Sequence, residues 1–221
     1  PLILNDINMK INAGEQVAFV GPSGSGKSTI MRLLIGFERL QSGSILFDGK
    51  SYQTLDVDAV RKQFGVVLQH GKLLPGSIFQ NIVGSSNLSL QEATEAANMA
   101  GMEEDINEMP MGMHTVLGAG STLSGGQMQR LMIARAIVHK PRFLFFDEAT
   151  SALDNRTQEI VTRSLEQFQA TRIIVAHRLS TIMKVDRIFV IDKGRIVETG
   201  TYEELLNAGG LFSQLAKRQI A

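Results

Sequence analysis

Gly21-Pro22-Ser23-Gly24-Ser25-Gly26-Lys27-Ser28-Thr29 is a run of residue types suited to holding a polyphosphate. Its spacing is GxxxxGK[ST]. In that pattern glycines let backbone N–H groups close around phosphate oxygens, a lysine reaches the β- and γ-phosphates, and a hydroxyl ligates Mg²⁺. Lys27 and Ser28 hold the last two places. A helix starting near Lys27 would aim its positive dipole end at the same phosphates. Further on, the apolar run Phe143-Leu144-Phe145-Phe146 ends in Asp147-Glu148. A carboxylate there sits at the carboxyl edge of a sheet, where open α/β sheets bind ligands. Asp147 is expected to hold Mg²⁺, and Glu148 to point into the same cleft. Gln69 closes the strand Gly65-Val66-Val67-Leu68, and its amide oxygen can accept from a water or approach Mg²⁺. Ser124, Gly125 and Gly126 open a helix: serine is a good N-cap, and free N–H groups with a helix dipole suit an anion.

These residues need elements to place them. Val17 to Val20 is a short apolar run suited to a buried strand, and residues 2–12 alternate loosely, so 2–20 reads as β-structure. Strand, glycine loop and a helix over 28–36 supply the context the phosphate motif requires. Further strands are expected at 44–47, 65–68, 143–146, 172–176, 187–191 and 195–198. Helices are expected at 56–64, 125–139, 157–168 and 179–183, with two more at the C-terminal end. Strands alternating with helices imply a mainly parallel sheet covered on both faces. Residues 71–139 read as an inserted helical subdomain, which leaves 1–70 and 140–221 as the core.

Composition excludes several classes. The 221 residues carry 22 basic and 22 acidic side chains, which argues against a strongly basic nucleic-acid surface. There is no cysteine, so disulfides and thiol catalysis are excluded. No run is long and apolar enough to span a bilayer. The chain opens at Pro1, without Met, inside the apolar segment Leu2-Ile3-Leu4, which reads as a domain taken from a longer polypeptide. Met109, Met111, Met113 and His114 have the softness of a Cu(I) site, but methionine also fills adaptable contacts, and the second reading is preferred.

The glycine loop, then Leu123-Ser124-Gly125-Gly126-Gln127, then Phe143 to Glu148, in that order, resembles the ATPase domain of ATP-binding cassette (ABC) proteins over essentially the whole chain. The resemblance implies a P-loop NTPase core with an N-terminal antiparallel β-subdomain and an inserted helical subdomain carrying the signature. It implies ATP and Mg²⁺ as ligands. Glu148 matches the residue that polarises the attacking water, and Gln69 the loop residue that senses the γ-phosphate. Ala176-His177-Arg178-Leu179-Ser180-Thr181 matches the switch segment, whose histidine contacts that phosphate. Ser124 to Gln127 would meet ATP held by a second copy, in a head-to-tail homodimer. Asp154 matches the loop that links the two sites.

Leu74-Pro75-Gly76-Ser77-Ile78-Phe79-Gln80-Asn81-Ile82 resembles the exporter branch, and residues 109–115 and 154–158 resemble bacterial bacteriocin or peptide exporters. That implies a transmembrane domain on the same parent chain, at the cytoplasmic face of the bacterial inner membrane, with no nucleic-acid partner. A soluble ABC ATPase uncoupled from transport is the alternative. Three positions depart from the pattern. Neither Tyr52 nor Tyr202 is placed to stack on adenine, so that aromatic is expected upstream of Pro1. Met128 stands where a basic residue is common. Gly118-Ala119-Gly120 stands where exporters usually carry a Glu that contacts the membrane domain.

Overall fold

The computed structural model describes residues 3–69, 71–118, 123–147, 153–176 and 178–220. In chain order the elements begin with β1 (Gln16–Val20), α1 (Lys27–Leu34), β2 (Leu46–Phe47), β3 (Lys50–Ser51), α2 (Val57–Arg61) and β4 (Phe64–Val67). Next come β5 (Gly76–Ser77), α3 (Ile78–Val83), α4 (Leu90–Met99), α5 (Glu103–Glu108), β6 (Val116–Leu117) and α6 (Gly125–Ile137). The chain continues through β7 (Phe143–Asp147), α7 (Asn155–Glu166), β8 (Thr171–Val175) and α8 (Leu179–Ile182). It ends with β9 (Arg187–Asp192), β10 (Arg195–Gly200), α9 (Tyr202–Ala208) and α10 (Leu211–Ile220). Chain contacts divide these into one unit of Pro1–Lys62, Phe145–Glu148 and Ala170–Ala221, and another of Gln63–Leu144 and Ala149–Gln169.

The first unit is an α/β sheet in the order β10-β9-β1-β8-β7. β1 runs parallel to both neighbours, with Val17 opposite Ile173 on β8 and Arg187 on β9. β1 and β9 are buried almost throughout, as strands covered on both faces must be. β10 returns antiparallel to β9, with a bulge between Ile196 and Glu198, and alternates exposed with half-buried residues. Ala18, Val20, Ile188 and Val190 pack with Leu205 and Phe212 of the C-terminal helices into one apolar cluster. Glu198 ties α10 to the sheet by accepting from the backbone N–H groups of Leu211 and Phe212.

Of the expected N-terminal antiparallel β-subdomain, the described residues form the short pair β2–β3, closed by Asp48-Gly49. The segment 3–12, read from sequence as β-structure, is not a strand. Its side chains do alternate, with Ile7, Met9 and Ile11 turned partly inward. A strand also needs a ladder partner, and these backbone groups bond elsewhere. Asn5 N–H donates to the Gly194 carbonyl at 2.8 Å, and the Lys10 carbonyl accepts from the Arg187 guanidinium at 2.6 Å.

The second unit is mainly helical, with α6 packed against α3, α4 and β4. β4 lies beside the beginning of β7, where Phe143 N–H donates to the Gln63 carbonyl at 3.1 Å and the Phe64 and Phe143 rings meet edge to face. The sequence showed no sign of the two-residue pair β5–β6 within this unit. Helix starts are sharply specified: α3, α4 and α6 each open with a reciprocal serine capping box.

Asn81, 2% exposed, organises the chain after Gln69. Its amide donates to the Leu74 and Ser77 carbonyls and accepts from Leu74 N–H. Arg135 of α6 donates to the Asn81 carbonyl and side-chain oxygen, both at 2.6 Å, and to the Lys72 carbonyl. Burial lowers the Arg135 pKa from its usual value. Removing Asn81 leaves several buried partners unsatisfied, so Asn81→Ala is expected to cost about 2–3 kcal/mol. Urea unfolding measures this; a loss below about 0.5 kcal/mol would mean that water replaces the amide.

Candidate functional site

The glycine loop leaves β1 at its carboxyl end and enters α1 through Gly26, which caps the helix with φ near 109°. A side chain there would strain the backbone. The loop is pinned from behind by the β9–β10 turn. Gly194 N–H donates to the Ser25 carbonyl at 3.0 Å, and Ser25 N–H donates to the Pro22 carbonyl at 3.2 Å. A Cβ on Gly21 would lie 2.0 Å from the Ile191 carbonyl oxygen, so the loop's first glycine is required by backbone approach as well as by any ligand.

Lys27 is 6% exposed, and its ammonium donates to the Gly21 and Pro22 carbonyls at 2.9 Å each. It is thus folded into the curve of the loop that the motif assigns to phosphate. Ser25 Oγ is buried there without a hydrogen-bond partner. An orphaned hydroxyl beside a buried ammonium held on the loop's own carbonyls, at the start of a helix, is a donor set that fits polyphosphate oxygens. Ser23, Gly24 and Ser28 face solvent, and Pro22 and Thr29 are half-buried. The exposed Ser28 hydroxyl fits a Mg²⁺ ligand that also meets the nucleotide.

Asp147 ends β7 at 8% exposure, in the same sheet as the strand that feeds the glycine loop, with β8 between the two strands. A hard oxygen donor there suits Mg²⁺. Lys27, Ser28 and Asp147 therefore belong to one unit, built on one sheet. Glu148 and His177 lie outside the described residues, as do residues 119–120 of the atypical loop.

The remaining expected residues belong to the second unit. Gln69 is exposed in the turn after β4. Ser124 caps α6: its Oγ accepts from Gln127 N–H at 3.1 Å while the Gln127 side-chain oxygen accepts from Ser124 N–H at 2.9 Å. The Ser124 oxygen is thereby occupied as an acceptor, and its hydrogen has no acceptor among the described residues. The N–H groups of Gly125 and Gly126 lie in the first turn, where a helix offers them no carbonyl. Asp154 caps α7, accepting from the Thr157 hydroxyl at 2.7 Å and the Thr157 N–H at 3.0 Å. Those bonds, the hydroxyl first, hold its carboxyl below the usual aspartate value.

Both tyrosines are used in packing. Tyr52 meets Phe47 edge-on, and Tyr202 meets Phe212. Met113 is buried while Met111 is 60% exposed, so these thioethers share no common environment. Sequence reasoning missed Asp105, Arg130 and Gly194, which support the motifs from outside them. Each acts across more than twenty residues of chain, and no local pattern marks it.

Residues 4–151 match the family described as ABC transporter. The exotoxin translocation ATP-binding protein PaxB of Pasteurella aerogenes is 46% identical over 99% of this chain and 32% of its own length. The leukotoxin translocation ATP-binding protein LktB of Mannheimia glucosida is 45% identical over 100% of this chain, again 32% of its own. The chain thus spans about a third of the length of these curated relatives. A solved bacterial Atm1-family ABC exporter with ATP bound superposes with TM-score 0.95 at 41% identity, over 99% of this chain and 39% of that one. By these matches over nearly the whole chain, the chain belongs to the ABC transporter family, as an ATPase domain.

Proposed function

We propose that two copies of this domain pair head to tail around two ATP molecules, and that their hydrolysis of ATP drives export through transmembrane segments of the parent protein. Gly21 to Thr29 would hold the phosphates, with Lys27 on the β- and γ-phosphates. Mg²⁺, when bound, neutralises charge on the phosphates and fixes their geometry. Ser28, Asp147 and Gln69 would ligate it directly or through water. Glu148 would accept a proton from the attacking water, and His177 would donate to the γ-phosphate. Ser124 to Gln127 of one copy would face the γ-phosphate held by the other, and Asp154 would join the two sites. ATP then favours the closed pair because it touches both copies, and hydrolysis removes that preference.

The observation that carries this reading is the first turn of α6. There the Ser124 hydroxyl accepts from Gln127 N–H but donates to no described residue, and the Gly125 and Gly126 N–H groups lie in the first turn, where the helix offers no carbonyl, a donor set that suits an anion supplied from elsewhere. The PaxB and LktB names, with exotoxin and leukotoxin translocation, favour a toxin as the cargo. Residues 109–115 and 154–158 favour a bacteriocin or other peptide, and the domain would work at the cytoplasmic face of the bacterial inner membrane.

Mixing two inactive variants tests the composite site. Lys27→Ala spoils the phosphate loop, and Gly126→Asp spoils the signature. Each alone is expected to lose ATPase activity. In a mixture, a mixed pair assembles one site from the two intact halves. Random pairing should restore about a quarter of the wild-type rate, given a symmetric dimer with two equal sites. No recovery over either variant alone would sink the head-to-tail reading.

A further inference from the structure

The first turn of the signature helix is held by a carboxylate that the motif does not contain. Gln127 Nε2 donates to Asp105 Oδ1 of α5 at 2.8 Å, and Gln127 Oε1 accepts from Ser124 N–H at 2.9 Å. Both ends of the amide are therefore engaged. A carboxylate only accepts, so the NH₂ end must face Asp105 and the oxygen end must face Ser124. Arg130, three residues further along α6, donates to Asp105 Oδ2 at 2.7 Å and Oδ1 at 3.2 Å. Its guanidinium also donates to the Gly101 carbonyl just before α5. The Asp105 and Arg130 side chains are each less than a fifth exposed, so solvent screens the pair less than it would a surface pair. α5 is itself anchored, with Met102 fully buried and Ile106 at 7% exposure.

We infer that Asp105 is a positioning residue for ATP turnover: through Gln127 it fixes the Ser124 cap, and so aims the donors of the signature at a phosphate held by a second copy. The inference rests on the composite-site reading above. The chain of cause is short. Asp105 sets the orientation of the Gln127 amide, and the amide holds Ser124 N–H. The Gln127 backbone N–H takes the Ser124 oxygen as its acceptor, which leaves the hydroxyl hydrogen to point outward with the N–H groups of Gly125 and Gly126. Arg130 balances the Asp105 charge, which keeps a bare carboxylate away from an anion site. Asp105 touches no ligand in this scheme and acts only through Gln127.

A polarity swap tests it in the 221-residue chain. Gln127→Glu sets two carboxylates face to face. It is expected to lower the rate at saturating ATP by about tenfold or more, the scale of a lost charge-assisted hydrogen bond between part-buried groups. Asp105→Asn added to Gln127→Glu lets the new asparagine amide donate to the new glutamate, which still accepts from Ser124 N–H. The double variant should turn over at least about threefold faster than Gln127→Glu alone, while staying below wild type because residue 127 itself belongs to the signature. ATP affinity, measured at protein concentrations too low for pairing, should stay within about twofold throughout, because the phosphate loop lies in the other unit. A normal rate for Gln127→Glu, or a double variant no faster than that single one, would overturn the role of Asp105. Loss of ATP affinity or of the unfolding transition in step with the rate would overturn it too, because the contact would then serve folding. Gly126→Asp, run alongside, separates the two readings: if it keeps the wild-type rate, the composite site falls and this inference with it.

Discussion

Glu148→Gln is expected to lower ATP turnover by about 10²–10⁴-fold, the range typical of removing a general base. The substitution keeps the size and one hydrogen-bonding oxygen of the side chain but cannot take up a proton. It leaves the phosphate loop, Ser28 and Asp147 untouched, so ATP binding should survive. If ATP is the bond between two copies, the variant should also accumulate as an ATP-dependent pair, because the step that releases the pair is blocked. Single-turnover hydrolysis gives the rate, and size-exclusion chromatography with and without ATP gives the pairing. A rate within about tenfold of wild type would move proton acceptance to another group, since loss of a base at the reacting water cannot be that mild. Asp147→Asn is a useful contrast. Its charge lies at the end of β7, where Mg²⁺ is expected, and its loss should weaken Mg²⁺-dependent nucleotide binding as well as turnover.

Gly21→Ala is expected to abolish nucleotide binding and to destabilise the first unit by about 3 kcal/mol, the upper part of the range for overpacking. The methyl group would sit 2.0 Å from the Ile191 carbonyl oxygen and 2.9 Å from Ser25 Oγ. The carbonyl cannot yield easily, and Ser25 Oγ can turn away only on a backbone that is itself held. Ile191 is fully buried in β9 and paired with Ile196 across the antiparallel ladder. The Ser25 carbonyl is fixed by Gly194 N–H on the same turn. The loop must therefore move outward, which carries the N–H groups of residues 23–26 away from any phosphate. Titration with a fluorescent nucleotide and thermal unfolding report the two effects separately. Unchanged affinity would show that the sheet edge gives way instead of the loop.

The chemistry of this chain was readable because its motifs are local. GxxxxGKS spans under three turns of chain, the capping pair Ser124 and Gln127 is separated by two residues, and Asp147 ends an uninterrupted apolar run. Spacing along the chain fixes geometry over such distances, since N-capping and strand burial depend on near neighbours. The ABC resemblance rested on the same local runs. Element boundaries were less legible, and α7 starts at Asn155, two residues before the expected position, because Asp154 acts as its cap.

The long-range pairings were decided only by the tertiary structure. The period-two pattern of residues 3–12 sets which side chains turn inward but cannot supply a ladder partner, and the Gly194 carbonyl and Arg187 claim those backbone groups instead. β5 and β6 are two residues each, too short for any pattern to accumulate, and exist because the chain around residue 116 returns to residue 77. The sequence identifies Gly21 as a phosphate-loop glycine, yet the contact that forbids a side chain there comes from Ile191, far along the chain. Asp105 looks like one acidic residue among three in the first turn of a short helix until folding brings Gln127 and Arg130 onto it. Local rules concern bonds and turns between near neighbours. Which distant group fills a given contact depends on how the whole chain closes its loops, and a stretch of sequence does not carry that information.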